Sequence, residues 1–104
     1  VKSNEAEKIL KNVREGEYVI ALDETGKQFS SVDFSSELKK ITIDGENVTL
    51  IIGGALGLDK SVLDRANLVL SLSKMTMTHQ MVRLLLVEQI YRAYMIKEGR
   101  EYHK

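Results

Sequence analysis

The sequence predicts an α/β domain built on a parallel sheet, and three observations predict it. Unbroken apolar runs at Tyr18-Val19-Ile20-Ala21-Leu22, Val48 to Ile52 and Leu68-Val69-Leu70-Ser71-Leu72 read as short strands covered on both faces. Segments with helical apolar spacing precede, separate and follow these runs, as a strand–helix–strand order requires. The length, 104 residues, fits one domain over 1–104 and leaves no room for separate cofactor and substrate lobes.

The elements follow in order. Residues 4–14 read as a helix, with Asn4 as cap, Glu7 three residues on completing a capping box, and Ile9, Leu10 and Val13 as its apolar stripe. Gly16 stops it. After the first strand, Asp23-Glu24-Thr25-Gly26-Lys27 reads as a turn, with Gly26 able to take positive φ. Ser30 or Ser31 caps a helix to about Lys40, with Phe34, Leu38 and Ile41 at helical spacing. Asp44-Gly45-Glu46-Asn47 turns into the second strand, which ends in Gly53-Gly54-Ala55-Leu56-Gly57. Asp59 caps a short helix holding Val62 and Leu63, and the third strand runs into the loop Ser73-Lys74-Met75-Thr76. Thr78 caps a long helix from 79 to about 97, ended by Gly99.

That last helix carries Leu84, Leu85, Leu86 and Val87 in succession. At about 100° per residue they point all around the axis, and one small sheet covers only one side. A homodimer packed through this helix is the economical cover for the other.

Composition narrows the function. The formal net charge is zero, which argues against a generic polyanion binder, although residues 1–50 carry −3 and residues 51–104 carry +3. The basic groups Arg92, Lys97, Arg100, His103 and Lys104 gather at the end, as a phosphate-contacting edge or an ordinary helix terminus would. Without cysteine there is no disulfide framework, thiolate metal site or cysteine nucleophile, which suits a reducing cytoplasm. Apolar stretches of four or five residues fall far short of the roughly 20 that span a bilayer, so no membrane association is expected.

Three strand-to-loop junctions are candidates for a site, because ligands bind outside the carboxyl ends of parallel strands: Leu22-Asp23, Gly53-Gly54 and Ser71 to Met77. Neither the dinucleotide fingerprint nor the phosphate loop is present. His79 and His103 stand apart with no paired-ligand spacing, so no metal is expected. Ser71 and Ser73 lack the nucleophile elbow, and Glu88 with Arg92 forms an i,i+4 pair.

Five segments occur in a particular order: Leu22-Asp23-x-x-Gly26-Lys27-x-x-Ser30-Ser31, Ile51 to Leu58, Leu70-Ser71-Leu72-Ser73-Lys74-Met75-Thr76, Glu88-Gln89-Ile90-Tyr91-Arg92-Ala93, and Gly99-Arg100-Glu101-Tyr102-His103-Lys104. Together they resemble the RlmH family of SPOUT methyltransferases, from about residue 5 to the end. The resemblance implies a parallel-sheet SPOUT-type fold with a C-terminal trefoil knot over about 47–104. It implies a small cytoplasmic homodimer that uses S-adenosyl-L-methionine to methylate N3 of a pseudouridine in 23S ribosomal RNA, on the assembled ribosome. The cofactor would lie against Leu22, Gly54 and the loop Leu72, Ser73, Lys74, Met75, Thr76 and Met77. Arg92, Tyr102 and His103 would serve catalysis, the last two reaching across the dimer. Family members are longer at the N-terminus, so a second expectation stands beside the first: a shortened knotted core that folds and dimerises, with or without cofactor, but does not catalyse.

Overall fold

The computed structural model of the chain describes residues 2–42, 47–53 and 57–97, and of residues 2–4 and 97 the backbone only. Seven elements alternate along it: α1 (Lys2–Asn12), β1 (Tyr18–Lys27), α2 (Ser31–Thr42), β2 (Val48–Ile52), α3 (Lys60–Arg65), β3 (Leu68–Leu70) and α4 (His79–Lys97). The strands form one parallel sheet in the order β2-β1-β3. The three-strand parallel sheet expected from the apolar runs is therefore present.

Alternation along β1 divides the core in two. Val19 and Ala21 face one side, where Ala6 of α1, Ile51, Leu58 and Val62 of α3 join them. Ile20 and Leu22 face the other, against Phe34 and Ile41 of α2, Leu70, and Leu86 of α4. Both faces are thus covered by helices, which is why β1 reads as a continuous apolar run. Val19, Ile20 and Val62 are fully enclosed, each worth about 1.5–3 kcal/mol of transfer free energy.

The amino end of the sheet is closed by polar groups. The Val19 N–H donates to Asn67 Oδ1 at 2.8 Å, and the Asn67 N–H returns a bond to the Val19 carbonyl at 2.8 Å. Arg65 Nη2 donates to the carbonyls of Arg14 and Glu17, each at 3.2 Å. The Glu17 carboxylate accepts from the Thr49 hydroxyl and, at 3.1 Å, from the Arg14 N–H; these bonds hold its pKa below the ordinary glutamate value.

Several boundaries differ from the sequence expectation. α1 begins at Lys2, so Asn4 lies inside the helix instead of capping it, and the helix ends at Asn12, two residues early. Ala6, Ile9 and Leu10 are the stripe of α1 that packs on the sheet, Val13 joins them just beyond the helix end, and Gly16, at φ 90°, closes the exit. β3 stops at Leu70, two residues before the apolar run does. The turn expected at Asp23–Lys27 is an irregular continuation of β1, in which Leu22 and Lys27 both oppose Leu70 of β3. Gly26 is not at positive φ; it is needed for close approach. A Cβ there would lie 2.5 Å from the Val69 carbonyl oxygen. By contrast, Ser30 caps α2 through its Oγ, which accepts from the Asp33 N–H at 3.0 Å, and Thr78 caps α4, accepting from the Met81 N–H at 3.2 Å.

Because the atom that a Gly26 methyl would strike is backbone, relief requires β1 and β3 to separate. Gly26→Ala is expected to destabilise the fold by about 1–3 kcal/mol, read from the midpoint of urea unfolding. An unchanged midpoint would mean that the two strands part freely at this end.

Candidate functional site: a cleft at the carboxyl ends of the strands

Parallel pairing brings the carboxyl ends of all three strands to one edge, where Leu22 opposes Ile52 on one side and Leu70 on the other. A cleft of about 730 Å3 opens there, within the range that holds small organic ligands. Leu22, Ile52, Leu58, Leu70, Leu72 and Val82 give it apolar walls. Asp23, Glu24, Thr25, Thr76, Thr78 and His79 add polar side chains, all but Asp23 exposed.

Three segments shape the opening. In the first, the excursion after Leu22, Asp23 Oδ2 accepts from the Thr25 N–H at 3.1 Å and from the Thr25 hydroxyl. The second follows β2, where Gly53 has no space for a side chain: a Cβ would stand 2.9 Å from Leu58 Cγ and 3.0 Å from the Gly57 backbone. Gly57 takes φ 82°, and the nearest atom to a Cβ placed on it is Asp23 Oδ1, at 3.9 Å. The third is the loop after β3. Ser71, 3% exposed, donates to the Ser73 carbonyl at 3.0 Å, and Ser73 Oγ accepts from the Met75 N–H at 3.0 Å. A longer bond of 3.4 Å, Thr76 Oγ1 to Glu24 Oε2, ties this loop to the β1 excursion.

Of the residues singled out in the sequence, Leu22, Leu72, Ser73, Met75, Thr76 and Met77 line this cleft. Lys74 stands exposed on the same loop and is not part of the wall. Gly54, Tyr102 and His103 lie outside the described residues, as does Gly99. Arg92 lies on α4 and does not line the cleft; its Nε and Nη2 each reach Glu88 Oε1 at 3.0 Å. The sequence reading passed over Glu24, Thr25, Leu58, Thr78, His79 and Val82 as wall residues. A usable signal existed for two of them, since the Thr78 cap begins α4 at a strand end and so turns that helix terminus toward the site.

α4 packs back along α2. Ser31 Oγ donates to Gln89 Oε1 at 2.6 Å, and buried Ser35 donates to the Ala93 carbonyl at 3.1 Å. The four consecutive apolar residues divide as their angles require. Leu86 is buried, whereas Leu84 and Val87 are 63% and 64% exposed and continue a stripe with Met81, Tyr91 and Tyr94. Among the described residues, no three His, Asp or Glu side chains gather as a metal site, and no helix is long and apolar enough to cross a membrane.

Comparison with known proteins assigns this arrangement to a class. Residues 1–103 match the family model described as "Predicted SPOUT methyltransferase", and the chain belongs to that family. It is 50% identical, over its whole length, to a Halothermothrix orenii protein named ribosomal RNA large subunit methyltransferase H, and 51% identical to the protein of that name from Clostridium novyi. A third, from Streptococcus suis, is 48% identical over 96% of the chain. The chain spans 66% of the length of the first two and 64% of the third. The crystal structure of Archaeoglobus fulgidus Nep1 bound to S-adenosylhomocysteine shares the fold, with a TM-score of 0.52 at 18% identity, covering 77% of this chain and 35% of that one.

The Glu88–Arg92 contact is a partly exposed i,i+4 pair, with the two side chains 35% and 21% accessible. A double-mutant cycle with Glu88→Gln and Arg92→Gln, followed by urea unfolding, is expected to give a coupling of about 0.3–0.5 kcal/mol. A coupling several times larger would make Arg92 a structural anchor, unable to turn toward a substrate.

Proposed function

We propose that this chain is the methyl-transferring part of an S-adenosylmethionine-dependent ribosomal RNA methyltransferase. The observation that carries the proposal is the cleft itself: in a SPOUT family chain, it is walled by the loop and strand end that the RlmH resemblance assigns to the cofactor. The residues fit that ligand. Leu22, Leu72 and Met77 offer apolar surface to an adenine ring, and the loop from Leu72 to Met77 brings backbone N–H and carbonyl groups to its edge. Gly54 belongs to the same proposed site. The structural neighbour Nep1 was crystallised bound to S-adenosylhomocysteine, and three relatives carry names of large-subunit RNA methyltransferases.

When bound, S-adenosylmethionine supplies an electrophilic methyl group on a sulfonium sulfur. The chain supplies position, by fixing the cofactor at the strand ends so that an acceptor can approach in line. The proposed acceptor is N3 of a pseudouridine in 23S ribosomal RNA, on the assembled cytoplasmic ribosome. That imide nitrogen must lose a proton, so a base or a cation beside it favours reaction. Arg92, Tyr102 and His103 are proposed for this work, the last two from the tail of the other subunit in a homodimer. The trefoil knot over about 47–104 belongs to the same proposal. Support for the dimer comes from the outward stripe Met81, Leu84, Val87, Tyr91 and Tyr94 on α4, a contiguous exposed apolar face of a kind that marks association sites.

A second reading stands beside it: a knotted core that folds and dimerises, with or without cofactor, but does not catalyse. Calorimetric titration of S-adenosylmethionine into the purified chain, followed by a methyl-transfer assay on ribosomes, separates the two. Binding near one site per subunit together with transfer supports the first; binding without transfer, or no binding by a folded dimer, removes the first and leaves the second. If transfer occurs, Arg92→Ala and His103→Ala should each slow it by about 10–100-fold, with cofactor affinity changed far less. Leu84→Asp should convert the dimer to a monomer in sedimentation; a chain already monomeric would refute the dimer.

A further inference from the structure

The cleft is chemically lopsided. Its inner walls are leucine, isoleucine and valine, whereas the charged side chains at its mouth are carboxylates; among the described lining residues there is no lysine or arginine. Of the two carboxylates, Glu24 is exposed and accepts from Thr76 of the loop opposite. Asp23 is half-buried and immediately follows Leu22, where regular pairing with both neighbours ends. One of its oxygens is spoken for, since Oδ2 takes both the N–H and the hydroxyl of Thr25. Those two bonds fix the side chain, and Oδ1 is then the atom nearest to the Gly57 Cα substituent position on the facing segment, with no hydrogen bond from the described residues. Gly57 carries no side chain, so nothing from that residue screens the oxygen.

We propose that Asp23 is a specificity-determining residue of the cofactor cleft, its Oδ1 recognising the cationic amino-acid end of S-adenosylmethionine while the leucine walls take the adenine. This rests on the cofactor reading given above. The chemistry is complementary at both ends. S-adenosylmethionine carries a sulfonium and an ammonium against a single carboxylate, a net positive charge concentrated away from the purine. A prepositioned carboxylate whose orienting bonds are already made attracts such a cation without further ordering cost, and a charge-assisted hydrogen bond is about twice as strong as a neutral one. A low-polarity wall on one side of the contact strengthens it further.

Three ligands that share the adenosine part separate charge recognition from other roles of Asp23. S-adenosylmethionine carries the sulfonium and the ammonium, S-adenosylhomocysteine retains only the ammonium, and methylthioadenosine has neither cation nor amino acid. Calorimetric titration of each into the wild-type chain and into Asp23→Asn is the test. The asparagine keeps an oxygen for Thr25, so the local turn survives, and circular dichroism checks the fold. The expected result is a loss of about ten-fold or more in affinity for the two amino-acid-bearing ligands, largest for S-adenosylmethionine, with methylthioadenosine changed less than about two-fold. Equal weakening of all three would overturn the proposal, because Asp23 would then be holding the ribose or shaping the cleft; so would no weakening at all. A second measurement needs no variant: raising the salt concentration should weaken S-adenosylmethionine more than methylthioadenosine, and equal salt dependence counts against charge recognition. If the wild-type chain binds none of the three, the cofactor reading itself has failed, which is a different result from a wild-type chain that binds all three and an Asp23→Asn variant that binds them equally well.

Discussion

The constraint on which the rest of the structure depends is the double pairing of β1. From Tyr18 to Leu22 it is flanked by β2, and from Ile20 by β3 on its other edge, while helices cover both of its faces. From Val19 to Leu22 the strand is buried, and exposure begins only where the pairing ends. Parallel neighbours end their pairing at the same edge, and every connection must cross back over a face to begin the next strand. The carboxyl edge is therefore left open by the connections themselves. Leu22 lies at that edge and Asp23 just beyond it, while the amino edge is closed by Glu17, Arg65 and Asn67.

α4 joins this edge to the outer surface. Val82, near its start, is part of the cleft wall, and Leu86, Ile90 and Ala93 continue inward against α2 and the sheet. Leu84, Val87, Tyr91 and Tyr94 occupy the opposite side of the same turns. The helix is held in rotation by Ser31 to Gln89 and Ser35 to the Ala93 carbonyl, two bonds that fix which residues face outward. A rigid rod with one end in the cleft and one side exposed gives the proposed subunit contact a direct mechanical route to the proposed cofactor site.

Where local chemistry decides, the sequence was readable. Ser30, Asp59 and Thr78 cap the helices they were expected to cap, and the parallel sheet follows from three apolar runs alternating with helical segments. Leu72 to Met77, apart from Lys74, were found at the cleft because a loop at the end of a parallel strand can hardly lie elsewhere. Expectation failed where a distant partner decides. Gly26 looked like a turn glycine, but what makes it glycine is the Val69 carbonyl, contributed by a strand more than forty positions later in the sequence. Asn4 looked like a cap, but α1 begins two residues before it, at Lys2. The wall residues Leu58 and Val82 each had an ordinary core explanation, and no local pattern distinguishes an apolar side chain lining a cleft from one lining a core.

The central placement of β1 also governs the order of events during folding. Its bond from Val19 to Asn67 closes a separation of 48 residues, and Ser35 reaches the Ala93 carbonyl across 58. Helices form from neighbours in sequence within microseconds, whereas these closures must await most of the chain, and proteins dominated by such distant pairings fold slowly. Until β3 arrives, β1 offers an unpaired edge of backbone N–H and carbonyl groups, flanked by the apolar side chains Val19 to Leu22, to any other strand in solution. The same strand that organises the finished molecule is thus its chief hazard while unfinished, and slow dilution at low protein concentration is the refolding condition that the topology favours.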